Sequence, residues 1–114
     1  MAQTNLTIER WASFTKSQQI LMIGSELERA KHRILNNNDK KDVHVNPCYE
    51  RIFELVDLTL EDKKWKYSFR ELLRFREVIG ELYIQKEKDI RLNTIVYNAF
   101  ISMNVGAFNA LNPN

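Results

Sequence analysis

Apolar residues recur at three- and four-residue steps through four stretches of the chain, and each stretch predicts an amphipathic helix. In the first, Ile20, Ile23, Leu27, Ala30 and Ile34 share one face, and Thr15 or Ser17 is placed to cap it. The polar run from Asn36 to Asp42 predicts the loop that ends it, because Asn and Asp side chains compete for backbone partners and tolerate left-handed geometry. The second helix is expected to start with Asn46 as cap and Pro47 in the first helical position, where a missing N–H costs nothing. Tyr49, Ile52, Phe53, Val56 and Leu60 form its apolar face, and Glu50, Glu54, Asp57 and Glu61 form a separate, solvated acidic ridge.

Ser68 and Glu71 have the spacing of a capping box for the third helix. Behind them Leu72, Phe75, Ile79, Leu82 and Tyr83 line one face, while Leu73, Gly80 and Ile84 add a weaker second strip. The fourth helix is expected to begin near Lys88 or Asp89, with a core stripe of Leu92, Ile95, Val96, Ala99 and Met103. Ile90, Tyr97, Ile101 and Phe108 fall on roughly the opposite side. Ahead of the first helix, Leu6, Ile8, Trp11 and Phe14 suit a short helix or arm, and Trp11 and Trp65 suit lids over the bundle ends.

Short connections between these helices imply antiparallel neighbours. The expected fold is all-α: an up-and-down four-helix bundle over residues 17–111, an N-terminal arm or short helix over 1–16, and a tail over 112–114. With 114 residues the chain can build one core, and three glycines and two prolines are too few turns for an all-β fold.

Charge adds one strong asymmetry. All 17 basic and 15 acidic side chains precede Leu92, so the stretch from Leu92 to Asn114 carries none. Asn93, Asn98, Asn104 and Asn109 make that stretch a poor membrane span. In a four-helix bundle no helix is central, so a helix apolar on both sides is expected to meet a partner. Ile90, Tyr97, Ile101 and Phe108 are the expected oligomer interface, with a second copy or a neighbouring gene's product as the partner. The single cysteine, Cys48, and an N-terminus without a basic and apolar leader pattern fit a reducing cytoplasm.

Catalytic constellations are sparse. His44 and Cys48 are four residues apart, but the expected helix start at Asn46-Pro47 separates them, and one cysteine is too few for a structural zinc site. Gly24, Gly80 and Gly106 are isolated, so there is no phosphate-cradling loop, and no Glu-x-x-His occurs for a di-metal bundle site. The sequence therefore leads to a non-catalytic protein with no cofactor or metal. The runner-up is nucleic-acid binding. Lys63, Lys64, Lys66, Arg70, Arg74 and Arg76 interleave with Trp65, Tyr67, Phe69 and Phe75, a mixture that can neutralise phosphates and stack on unpaired bases. The structural alternative is that the lysines relieve the dipole of the second helix, Arg74 pairs with Glu71 or Glu77, and Arg76 pairs with a carboxylate on a neighbouring helix.

Three segments carry a resemblance: Ile23-Gly24-Ser25-Glu26 with Arg29-Ala30, Glu54 through Thr59, and Glu71 through Glu77. Together they resemble a group of small uncharacterised prokaryotic proteins, which implies a compact helical domain. The layout also resembles the HEPN-type four-helix bundles, which include toxin ribonucleases and partners of minimal nucleotidyltransferases. Their ribonucleases use an Arg followed four to six residues later by His; neither His32 nor His44 has an Arg at that spacing, so the resemblance does not extend to RNA cleavage.

Overall fold

The computed structural model describes residues 6–36 and 42–103, with side chains in the second stretch from His44 onward. Within these residues the chain forms α1 (Ile8–Ala12), α2 (Lys16–Asn36), α3 (Asp42–Leu60), a 3-10 turn (Lys63–Ser68), α4 (Phe69–Ile84) and α5 (Ile90–Ile101). No helix among them is long and apolar enough to cross a membrane. The rest of the expected loop (37–41), the tail at 112–114 and the boundary at 111 lie outside the described residues.

Local chemistry explains where most helices begin. Thr7 caps α1 by accepting from the Arg10 amide. A reciprocal capping box opens α2: Thr15 Oγ1 accepts from the Gln18 amide at 3.1 Å, and the Gln18 side chain accepts from the Thr15 amide at 2.8 Å. Asp89 caps α5 by accepting from the amides of Arg91 and Leu92. Two expected starts are corrected. The helix α3 begins at Asp42, so Pro47 lies inside it, His44 is helical, and the Asn46 side-chain oxygen is buried without a hydrogen-bond partner rather than capping anything. Ser68 makes no side-chain cap, because the 3-10 turn runs directly into α4 and leaves Ser68 at φ −111° and ψ 17°, off the extended geometry a cap needs.

The four long helices form an up-and-down bundle. Asp62, just past the end of α3, is bonded to Gln19 near the start of α2, and His44 near the start of α3 takes a bond from Arg33 near the end of α2. Asp57 meets Arg76 and Glu50 meets Tyr83, so α3 and α4 are also antiparallel. On the other side Gly24 lies against Ile101 while the Leu27 carbonyl takes a bond from Asn93, which sets α5 antiparallel to α2.

The expected faces of α2 and α4 are the observed ones: Ile20, Ile23, Leu27, Ala30 and Ile34 are buried, as are Leu72, Phe75, Ile79 and Leu82. From α3, Tyr49, Ile52, Leu55 and Val56 are buried. For α5 the expected stripe is corrected. The buried residues are Asn93, Val96, Phe100 and Ile101, while Ile95 is 57% exposed and Ala99 is exposed.

Two glycines sit in opposite environments. A Cβ on Gly24 would stand 2.9 Å from Ile101 Cδ1 and 3.4 Å from Tyr97 Cε1, so the missing side chain is what lets α5 approach α2. At Gly80 a Cβ would meet nothing within 4 Å. Gly80→Ala should therefore raise stability by about 0.5–1 kcal/mol through helix propensity alone. Gly24→Leu should lower it by roughly 1–3 kcal/mol through overpacking. Denaturant unfolding of both variants checks the pair, and an unaffected Gly24→Leu would remove the close-approach role.

Candidate functional site

The position of α4 is set by a buried polar clasp at one end of the bundle. Gln19, fully buried, donates from Nε2 to the Trp11 carbonyl at 2.8 Å and to Asp62 Oδ2 at 2.9 Å, and accepts from Trp65 Nε1 at 2.6 Å. Trp11 Nε1 donates to Thr59 Oγ1, which in turn donates to the Leu55 carbonyl. Lys64 Nζ bridges Asp62 and the Ala12 carbonyl. Both tryptophans cover the bundle, but at the same end and from α1 and the 3-10 turn rather than from loops, and each is held by its indole N–H as well as by burial. Burial acts to raise the Asp62 carboxyl, yet the hydrogen bonds from Gln19 and Lys64 and the Lys64 charge outweigh it, so the group lies below the usual carboxylate range.

A second polar cluster fixes the rotation of α5. Tyr49 Oη donates to Asn93 Oδ1 at 2.8 Å, and Asn93 Nδ2 donates to the Leu27 carbonyl at 3.1 Å. Burial, with a smaller push from Cys48, raises the Tyr49 phenol, which keeps it a neutral donor. Lys88, only 2% exposed, donates to the carbonyls of Leu82, Tyr83 and Gln85 and so closes the C-terminus of α4. With Asn93 turned inward and Phe100 stacked on Phe75 at 4.1 Å, α5 presents Leu92, Ile95 and Ala99 to the other side.

That rotation opens an apolar groove of about 370 Å³ between α4 and α5. Phe75, Val78, Leu92, Ile95, Val96 and Met103 are prominent in its wall, with Glu71 and Arg74 at its edge. Apolar side chains are exposed elsewhere on the same two helices as well. Six large hydrophobic side chains are exposed among the described residues, and five of them (Tyr67, Phe69, Leu73, Ile84 and Ile95) lie on α4, its lead-in turn or α5. Leu35 on α2 is the sixth.

The expected interface residues are placed differently from this region. Ile101 is 4% exposed and Tyr97 is half-buried, both against Gly24, and Ile90 is half-buried against the core. Phe108 lies outside the described residues. The helix is apolar on two sides, as its sequence shows, but the side expected to be free is the one facing α2. The decisive signal was Gly24, whose missing side chain admits Ile101.

The basic segment divides in two. Lys64 is committed to the clasp, and Arg76 forms a two-point ion pair with Asp57 at 2.8 and 3.2 Å while covering the Phe53 ring. Lys63, Lys66, Arg70 and Arg74 are exposed. Among the interleaved aromatics Trp65 and Phe75 are buried and cannot stack on a base, which leaves Tyr67 and Phe69 outside. Arg74 pairs with neither Glu71 nor Glu77. Cys48 is buried and its thiol is pushed up, chiefly by burial; Arg33 and Arg29 pull it down and Glu26 pushes it up. A thiol raised in this way is protonated at neutral pH and is a poor nucleophile.

Comparison with known proteins returns no matching family model, no matching curated protein and no matching solved structure. The functional reading therefore rests on the geometry above.

Two outcomes test the clasp. Gln19→Ala strands the Trp65 indole N–H and removes one donor each from the Trp11 carbonyl and Asp62 Oδ2, which keep Phe14 N–H and Lys64 Nζ, and should cost roughly 1–3 kcal/mol in denaturant unfolding. The depressed Asp62 carboxyl contributes stability that is present above the usual carboxylate range and lost as pH falls through its lowered pKa. An acid titration of stability should show this loss in the wild type, and Asp62→Asn should flatten it.

Proposed function

We propose that this protein works by binding other protein, with no catalytic role, and that it self-associates through the face formed by α4 and α5. The observation that carries this reading is the concentration of exposed apolar side chains on α4, its lead-in turn and α5 (Tyr67, Phe69, Leu73, Ile84 and Ile95), together with the apolar groove between the two helices. Single apolar residues are ordinary on a surface, but five of the six large exposed ones gathered on neighbouring elements beside an apolar groove point to an interaction site. A second copy suits the face because both signs of charge run through it, so two identical surfaces need not repel. Burial of this face against another chain also adds to the stability of a small bundle.

Nucleic-acid binding through Lys63, Lys66, Arg70 and Arg74 is the second reading, favoured by the exposed Tyr67 and Phe69 beside them. It is weaker because the block loses Lys64, Trp65 and Arg76 to internal bonds.

Light scattering and sedimentation should find a species larger than a monomer. Leu73→Glu, at the centre of α4's outer surface, should dissociate it, whereas Leu35→Glu, on the exposed side of α2, should leave it intact. A monomer at all concentrations, or equal effects of the two substitutions, would refute the association face.

A further inference from the structure

The outer surface of α4 carries its charges in an order that the helix itself does not favour. Arg70 and Arg74 occupy its first half, and Glu77 and Glu81 its second half; all four are exposed. Arg70 with Arg74, and Glu77 with Glu81, are like-charge pairs four residues apart, an arrangement that destabilises a helix. Arg70 in the first turn and Glu81 in the last also oppose the macrodipole. None of the four makes an ion pair among the described residues.

The same order is self-complementary when a second α4 runs antiparallel. Place a two-fold axis at the midpoint between Phe75 and Arg76. Arg74 then faces Glu77 of the second copy, and Arg70 faces Glu81 of the second copy. The axis makes each pair occur twice, so four opposite-charge contacts form. Leu73, 44% exposed, and Ile84, 78% exposed, lie along one flank of this strip, and the two-fold brings that flank of both copies to the same side of the seam. One register thus satisfies two kinds of charge pair and sets the exposed apolar flank of each copy on one side of the seam. Gly80 flanks this strip with no heavy atom near its Cβ position, which leaves room for a second helix to approach.

From this coincidence we infer that α4 is the seam of a two-fold dimer, packed antiparallel against α4 of a second copy in the register centred between Phe75 and Arg76. The inference rests on the self-association proposed above and specifies its geometry. A crossing angle of about 20° keeps such helices in contact over several turns, enough for the outer pairs to meet. The charge pairs set orientation and register, and the apolar flank adds burial beside them. Because the pairs sit at a surface, the dimer should weaken as salt rises.

Charge reversal tests the register directly, with substitutions confined to exposed side chains. Arg70→Glu/Arg74→Glu makes the strip wholly acidic, and Glu77→Arg/Glu81→Arg makes it wholly basic. Each variant alone should show at least about a tenfold weaker dimer by sedimentation equilibrium. An equimolar mixture of the two should form a heterodimer at least as tight as the wild-type dimer, because every facing pair is then opposite in charge. The chain with all four reversals should again form a homodimer. A wild-type protein that is monomeric throughout would overturn the self-association reading itself. A dimer that persists equally in both double variants, with no preference for the mixture, would overturn the register alone. Loss of dimer in the acidic variant without rescue in the mixture would also overturn the register.

Discussion

One side-chain amide holds this bundle in its arrangement. Gln19 is completely buried, and its nitrogen and oxygen together reach Trp11, Asp62 and Trp65, which lie before α2, after α3 and in the turn ahead of α4. A buried amide that lost these partners would carry the full cost of desolvation, so the three segments are fixed by the same requirement. Their convergence closes one end of the bundle under two indole rings and delivers the chain into α4 without a conventional cap. The direction of α4, and with it the face that α4 turns to solvent, follows from that lead-in.

The other face of the bundle depends on a second polar residue in an apolar place. Asn93 spends both ends of its side chain on Tyr49 and the Leu27 carbonyl, and Gly24 removes the side chain that would block Ile101. These two features draw α5 onto α2. The consequence is felt on the far side, where α5 makes few contacts with α4 apart from the Phe75–Phe100 stack near one end, and an apolar groove stays open between them. The candidate site is therefore a product of internal satisfaction: the helix settles where its buried asparagine is bonded, and its remaining apolar side chains are left facing out.

Electrostatics sorts in the same way. Arg76 and Lys64 are used within the fold, one on Asp57 and the other on Asp62 and a backbone carbonyl. The cations left over are those of Lys63, Lys66, Arg70 and Arg74, and the last two lie on the surface where exposed leucine, isoleucine and tyrosine side chains are concentrated. A segment that looks like a uniform basic block in one dimension is, in three, a structural half and a surface half.

Hydrophobic period alone determined the all-α class, the four long helices and the buried faces of α2 and α4, because each of these is a property of neighbours within one helix. It also marked α5 as apolar on two sides. It could not decide which side is free. That choice depends on a glycine in α2 and on a hydrogen bond between Tyr49 and Asn93, residues forty-four apart, and an asparagine in a stripe normally signals solvent. The caps show the same limit. Asn46-Pro47 and Ser68-Glu71 have the right spacing for helix starts, but α3 begins earlier and α4 is entered from a 3-10 turn, because the clasp around Gln19 and the packing of the bundle govern where those backbones run. Local pattern sets which elements form; only the tertiary structure decides which of their surfaces are spent inside and which remain for a partner.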